Sequence, residues 1–244
     1  MKSKRIYQDT PLQCGTEITL DSAATHHLAR VLRCRIDDQI ELFNGDGCNY
    51  HATIKEISKR QTTARITAQS AREVKPPLKI HLGLPLSKGQ RMDFAMQKAV
   101  ELGVSAITPL LTEHTAVKLP EERLQQKLLH WRQVIISACE QSGRCRLPQL
   151  HPLTTLDTWA LQQVSYGIVL DPRADRTPDS LPAPAADSML YLVCGPEGGL
   201  SSSEVDGLIQ QHFTPARLGP RILRTETAPL AAITAVQMLW GDFR

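Results

Sequence analysis

The chain has 244 residues, 41% hydrophobic and 22% charged, with a formal net charge of +3. This is a globular composition, long enough for one large domain or two smaller ones. It excludes a membrane-spanning helix, because no apolar run is long enough to cross a bilayer.

The N-terminal stretch MKSKRIYQDT is basic but has no apolar core of the kind a secretory leader needs. The six cysteines form no C-x-x-C pair and no zinc-ligand spacing. Free thiols, no metal site and a cytoplasmic location are therefore expected. The charge is uneven: residues 1–72 carry 11 Lys+Arg against 8 Asp+Glu, and residues 73–244 carry 17 of each. The excess is either a solvated basic face or a surface for a polyanion.

Short strands dominate residues 16–68. TEITL alternates, and AATHHLARVLR reads as a helix with Asp21 or Ser22 as its N-cap. QIELFNGDGCNYHATIKEI reads as two strands around an NGDG turn, and TTARIT adds another, which together suggest a small barrel. SAREVKPP (70–77) is polar and ends in two prolines, as a linker does. The divisions expected are a β-barrel domain at 1–72, a linker at 73–77 and a second domain at 78–244.

Beyond the linker, strands alternate with helices. LKIHLGLPL is a strand, followed by a helix in QRMDFAMQKAVELG with Met92, Ala95, Ala99 and Leu102 on one face and Gly103 at its end. VSAITPLL is the next strand. A long helix runs through PEERLQQKLLHWRQVIISACEQSG, with Pro120 in its first turn, a stripe of Leu124, Leu128, Trp131, Ile135 and Ala138, and Gly143 at its end. YGIVL, MLYLVC and PARLG are further strands. SSSEVDGLIQQ is a helix with Ser201 and Glu204 at capping-box spacing, and the largely apolar TAPLAAITAVQMLWGDF is the last helix. This alternation predicts a parallel sheet covered on both faces.

Two loops carry the chemistry. CGPEGG (194–199) lies where the strand MLYLVC ends. In open parallel sheets ligands bind beyond strand C-termini, and glycine lets backbone approach a ligand. The loop lacks the Gly-Lys-Ser/Thr of a P-loop and is not G-x-G-x-x-G, so a nucleoside triphosphate or dinucleotide is not indicated. A plain chain-reversing turn is the other reading. RLGPRILRTETAPLAA (217–232) sets Arg221, Arg224, Thr225, Glu226 and Thr227 between an apolar strand and an apolar helix. Thr227 fits an N-cap with Pro229 in the first turn. Glu226 fits charge complementarity at a helix start. The arginines fit ion pairs with Glu197 or Glu226.

CGPEGGLS followed by LGPRILRTETAPLAA closely resembles the SPOUT-class methyltransferases of the RsmE type, which methylate N3 of a uridine in bacterial 16S ribosomal RNA. RVLR (30–33), LFNGDG (42–47), QKAVELGV (97–104), ITPL (107–110) and ACEQSGR (138–144) extend the likeness along nearly the whole chain. The resemblance implies an α/β fold: a small PUA-like β-barrel domain that binds RNA, then a SPOUT domain with a mostly parallel sheet and a C-terminal trefoil knot. It implies S-adenosylmethionine as cofactor, a homodimer, and 16S rRNA within the small ribosomal subunit as partner. Carried onto this chain, the cofactor contacts are Leu170, Cys194, Gly195, Gly199, Leu218, Gly219, Ile222 and Leu223. Arg224 is the expected donor to charge developing on the uracil oxygens, and Glu197 or Glu226 the proton acceptor. For RNA the expected residues are His26, Arg30 and Arg33 on one helical face, with Lys88 and Arg91, and Arg144 and Arg146, as weaker choices. A 2′-O-ribose methyltransferase of the same class and a non-catalytic RNA-binding protein are the alternatives.

Overall fold

A computed structural model describes residues 4–87, 89–115, 120–162 and 164–243. The chain divides into two units, Met1–Val74 with Cys139–Leu147, and Lys75–Ala138 with Pro148–Arg244.

In the first unit, β1 (Arg5–Tyr7), β2 (Glu17–Thr19), α1 (Ser22–His26), β3 (Gln39–Phe43), β4 (Tyr50–Ile57) and β5 (Thr62–Gln69) follow one another. The sheet order is β1-β3-β4-β5-β2. All pairs are antiparallel except β1 with β3. Alternation drives burial: Tyr50, Ala52 and Ile54 of β4 enter the core with Leu42, Ala64 and Ile66. The edge strands are tied through side chains. Gln8, just after β1, donates to Asp21 and accepts from the Asp21 amide, both at 3.1 Å. The turn between β3 and β4 places Gly45 and Gly47 at φ 95° and 96°, a region that glycine enters without strain.

Two expectations for this unit need correcting. β1 is a three-residue strand that no alternation announces. The helix is also not one continuous α-face. Asp21 caps α1 by accepting from Ala24 N, but His27–Val31 is π-wound and Leu32 ends the run. Arg33 follows at φ 50°, outside the helix. His26, Arg30 and Arg33 are all exposed, but an i, i+4, i+7 face does not align them.

The second unit contains β6 (Lys79–Pro85), α2 (Arg91–Glu101), β7 (Ala106–Leu111), α3 (Glu121–Ser142, whose last residues belong to the first unit), β8 (Gln149–Leu150), β9 (Thr154–Thr155), α4 (Leu156–Ala160), β10 (Tyr166–Leu170), β11 (Met189–Val193), α5 (Ser202–Gln210), β12 (Phe213–Ala216) and α6 (Thr227–Trp240). The order is β12-β10-β11-β6-β7-β8, with β9 also on β7. Every pairing is parallel. Ile80 to Pro85 are all buried, as in a central strand covered on both faces. Trp159 of α4 and Leu208 of α5 pack on Leu110, Val169, Val193 and Phe213. α6 packs on β6 and on α2. Gly103, at φ 93°, ends α2 and leaves room for Gln237 of α6, which donates to Leu102 O at 3.0 Å. The last strand lies earlier than PARLG suggests. β12 is an edge strand, which tolerates Pro215, and it ends at Ala216, so Leu218 and Gly219 sit in the loop beyond it. The N-cap of α6 is Glu226, not Thr227. Among the described residues no helix is long and apolar enough to cross a membrane.

His81 of β6 is buried within this sheet. Trp159 Nε1 donates to its Nε2 at 3.4 Å. Since an indole N–H only donates, Nε2 is the acceptor, and the Thr108 hydroxyl at 2.7 Å donates to it as well. Burial, and then the stacked His151 ring, push the His81 pKa from 6.5 down to about 4. The unfolded chain therefore takes up a proton at this site before the folded one does. The stability it contributes is full above pH 6.5 and is lost progressively as pH falls towards 4, a loss of about 3 kcal/mol. Denaturant melts across that window should show it, and His81→Gln, which keeps a neutral acceptor, should remove most of the slope. A variant with the full slope would assign the acid sensitivity to other groups.

Candidate functional site

Because β12, β10 and β11 are adjacent and parallel, their C-terminal ends open on the same edge of the sheet. The three following loops enclose a cavity of about 590 Å³, within the range of roughly 300–1,000 Å³ usual for small-molecule sites.

Leu170 and Asp171 come from the first loop, Cys194–Glu197 and Gly199 from the second, and Arg217–Gly219 and Arg221–Glu226 from the third. Gly199 has φ 73° and Gly219 φ 85°, and a Cβ built on either meets no atom within 4 Å. Gly195 differs: its Cβ would press on the Gly199 Cα and the Leu200 amide, both at 2.9 Å. Gly195 thus lets the second loop fold on itself, whereas Gly199 and Gly219 leave open space along the wall. The loops are joined by Thr225, whose hydroxyl donates to Gly195 O at 2.9 Å. The second loop is also held from outside. His114 Nδ1 donates to Gly199 O at 3.1 Å, and Ser201 and Glu204 form the expected capping box of α5.

Eight charged side chains surround this space: Arg91, Arg173, Arg217, Arg221 and Arg224 against Asp171, Glu197 and Glu226. The positive excess suits an anionic partner. Arg91, the first residue of α2, donates to Glu197 Oε1 at 2.9 Å. Arg173 grips Asp171 through Nε at 3.0 Å and Nη2 at 3.2 Å. Burial opposes ionisation of Asp171, but the Arg173 bonds outweigh it and hold the carboxyl below its ordinary value. Arg224 Nη1 is 4.0 Å from Glu226 Oε1, too far for a hydrogen bond, and its side chain is 79% exposed. Burial pushes the Cys194 thiol up to about 12, so it is neutral and is no nucleophile.

Residues 74–237 match the RNA methyltransferase domain family, and residues 20–67 match the RNA methyltransferase PUA domain family. The chain belongs to the RNA methyltransferases. A methyltransferase of Legionella pneumophila, solved with bound cofactor SAM, is 38% identical with TM-score 0.95, covering 100% of both chains. Ribosomal RNA small subunit methyltransferase E of Neisseria gonorrhoeae, solved bound to S-adenosyl methionine, is 35% identical with TM-score 0.92, covering 99% of this chain and 100% of that one. The protein of that name from Buchnera aphidicola is 38% identical over 240 residues, 98% of this chain and 97% of the relative.

In this RNA methyltransferase, all eight residues expected at the cofactor and all three expected in catalysis line the one cavity. Arg91, expected on the RNA surface, lines it too. Lys88 lies outside the described residues. Sequence reasoning missed Asp171, Arg173 and the tie made by Thr225. The available signal was LDPRAD directly after the strand YGIVL, a sudden run of charge at a strand end.

Proposed function

We propose that this chain is an S-adenosylmethionine-dependent methyltransferase acting on N3 of a uridine in 16S rRNA of the small ribosomal subunit. The observation that carries the reading is the cavity: three loops at adjacent parallel strand ends, open space beside two positive-φ glycines, and Arg224 with two carboxylates at its wall. S-adenosylmethionine fits this lining. It has no phosphate, so a glycine loop without Lys-Ser/Thr suits it, and Leu170, Leu218, Ile222 and Leu223 offer apolar surface for its adenine. Cys194, Gly195, Gly199 and Gly219 would hold it through backbone groups. When bound it supplies an electrophilic methyl group on a positively charged sulfur.

The remaining work falls to the chain's own residues. N3 lies on the pairing edge, so the base must enter unpaired or flipped out. The loop backbones hold it in line with the methyl group. Arg224 stabilises negative charge that develops on the uracil oxygens, and a carboxylate takes the N3 proton. The PUA-like unit grips RNA through His26, Arg30 and Arg33, supported by their exposure and by the local excess of positive charge. We assign the trefoil knot to the three loops around the cavity. Ile222, 87% exposed on the cavity wall, supports a homodimer that covers it. The protein acts in the cytoplasm.

Nucleoside mass spectrometry of rRNA from cells with and without the protein tests the function. Loss of N3-methyluridine from small-subunit RNA is expected. Loss of a 2′-O-methyl nucleoside would replace this reading with ribose methylation. For grip, Arg30→Ala with Arg33→Ala should weaken RNA binding and flatten its salt dependence by about 0.7–0.9 per lost phosphate contact, leaving cofactor affinity unchanged. An unaltered salt slope would make these side chains a solvated face.

A further inference from the structure

The two carboxylates on the cavity wall are not equivalent. Glu197 is already engaged, with Arg91 donating to Oε1 at 2.9 Å. A guanidinium bound this closely occupies the carboxylate with a charge-assisted hydrogen bond. Glu226 is different. Its side chain is only 16% exposed, its Oε1 is 4.0 Å from the nearest arginine nitrogen, and its Oε2 is buried with no hydrogen-bond partner among the described residues. As N-cap of α6 it makes no capping bond either. A buried carboxylate oxygen without a donor is costly, and native structures seldom keep one without a use. Glu226 belongs to the lining of the ligand cavity, so a turn of its carboxylate would bring the unpartnered oxygen to a donor on a bound ligand.

We infer that Glu226, and not Glu197, takes the hydrogen from the nitrogen being methylated. This deepens the reading above and rests on it. As the N3–H bond breaks, its electron pair forms the bond from N3 to the methyl carbon. The methyl–sulfur pair stays on sulfur and cancels its positive charge. The proton passes to the Glu226 carboxylate and leaves to water after release of the product. The other charged groups around the cavity, Arg91, Asp171, Arg173, Glu197, Arg217 and Arg221, are split between ion pairs and the solvent-facing lip. The Arg224 guanidinium, 4.0 Å from Glu226 Oε1, is the positive charge nearest to it among the described residues.

An N–H donor comes from two sources here, the target base and the amino group of the cofactor's amino-acid portion. The base is the donor inferred. Glu226→Gln separates them through three measurements: single-turnover methylation across about pH 6 to 9, calorimetric affinity for S-adenosylhomocysteine, and melting temperature without ligands. The expected result is a rate lower by about 10²- to 10⁴-fold that climbs with pH as hydroxide replaces the lost base, with affinity for S-adenosylhomocysteine unchanged. The melting temperature stays level or rises, because a buried unpaired charge is removed. Glu197→Gln, by contrast, keeps the wild-type pH profile and changes the melting temperature little, since its ion pair with Arg91 is partly exposed. A Glu226→Gln rate that runs parallel to wild type with pH overturns the inference. So does a tenfold or larger loss of S-adenosylhomocysteine affinity, which marks the cofactor amino group as the donor, or a clear drop in melting temperature, which makes Glu226 structural. Glu226→Asp, which keeps a carboxylate one methylene shorter, should retain the wild-type pH profile at reduced rate, and serves if the Gln variant fails to fold. Nucleoside analysis of the wild-type product checks the underlying reading separately.

Discussion

Arg224→Ala is expected to fold, to melt close to wild type and to methylate RNA a hundredfold or more slowly, the usual loss for one donor to transition-state charge. The small effect on stability follows from the position of the side chain. It is 79% exposed and 4.0 Å from Glu226, so it takes part at most in a surface ion pair, worth about 0–1 kcal/mol. The backbone beneath is fixed. Arg224 O accepts from the Thr227 and Ala228 amides, each at 2.9 Å, and the neighbouring Thr225 is bonded to Gly195. The guanidinium is thus a mobile donor on a rigid mount at the cavity. If it acts on charge that appears only as the reaction proceeds, kcat falls far more than RNA affinity. Arg224→Lys recovers little, because a point charge does not reproduce a planar fork. Single-turnover rates beside thermal melts check this. Near-wild-type turnover removes Arg224 from the chemistry, and a protein that unfolds reassigns it to the scaffold.

Gly199→Val should abolish binding of S-adenosylmethionine and its demethylated product. Gly199 sits at φ 73°, where a β-branched side chain is strained by about 1–3 kcal/mol. The space a Cβ would enter is empty, so the added methyl groups compete with a ligand rather than with the protein's own atoms. The protein should therefore fold at a lower melting temperature and give no calorimetric signal. Gly195→Val is the contrasting case. Its Cβ would meet backbone at 2.9 Å, so the loop itself must move and folding suffers first. A folded Gly199→Val protein that binds with unchanged affinity would take Gly199 out of the ligand site.

The alternation of strand and helix in residues 78–244 was readable because burial imposes a period on the sequence, and the parallel sheet follows from it. The two loops were readable for a related reason: glycines and charges crowd between an apolar strand and an apolar helix, where a simple connection needs neither. The pairing of Arg91 with Glu197 was not readable. The two residues are 106 positions apart, and only the parallel order of β11 beside β6 brings the start of α2 to the second loop. The π-turn at His27–Val31 was equally hidden, since a slip of one backbone hydrogen bond leaves the apolar pattern almost unchanged. The inequality of Glu197 and Glu226 needed coordinates, because sequence identifies two acids but not which of them lacks a donor.

The long helix α3 sets the conditions for dissecting this protein. It is unbroken from Glu121 to Ser142, yet its last turn and the segment to Leu147 belong to the N-terminal unit. A fragment ending at Val74 would lack these residues. Arg5 would lose the Gly143 and Arg144 carbonyls, the Tyr7 amide would lose Glu140, and the Cys145 amide would no longer engage Glu73. The amino-terminal segment is therefore no cassette that can be excised at the linker. Its completion awaits synthesis of residue 147, so on the ribosome roughly the first three-fifths of the chain must emerge before the N-terminal unit can close.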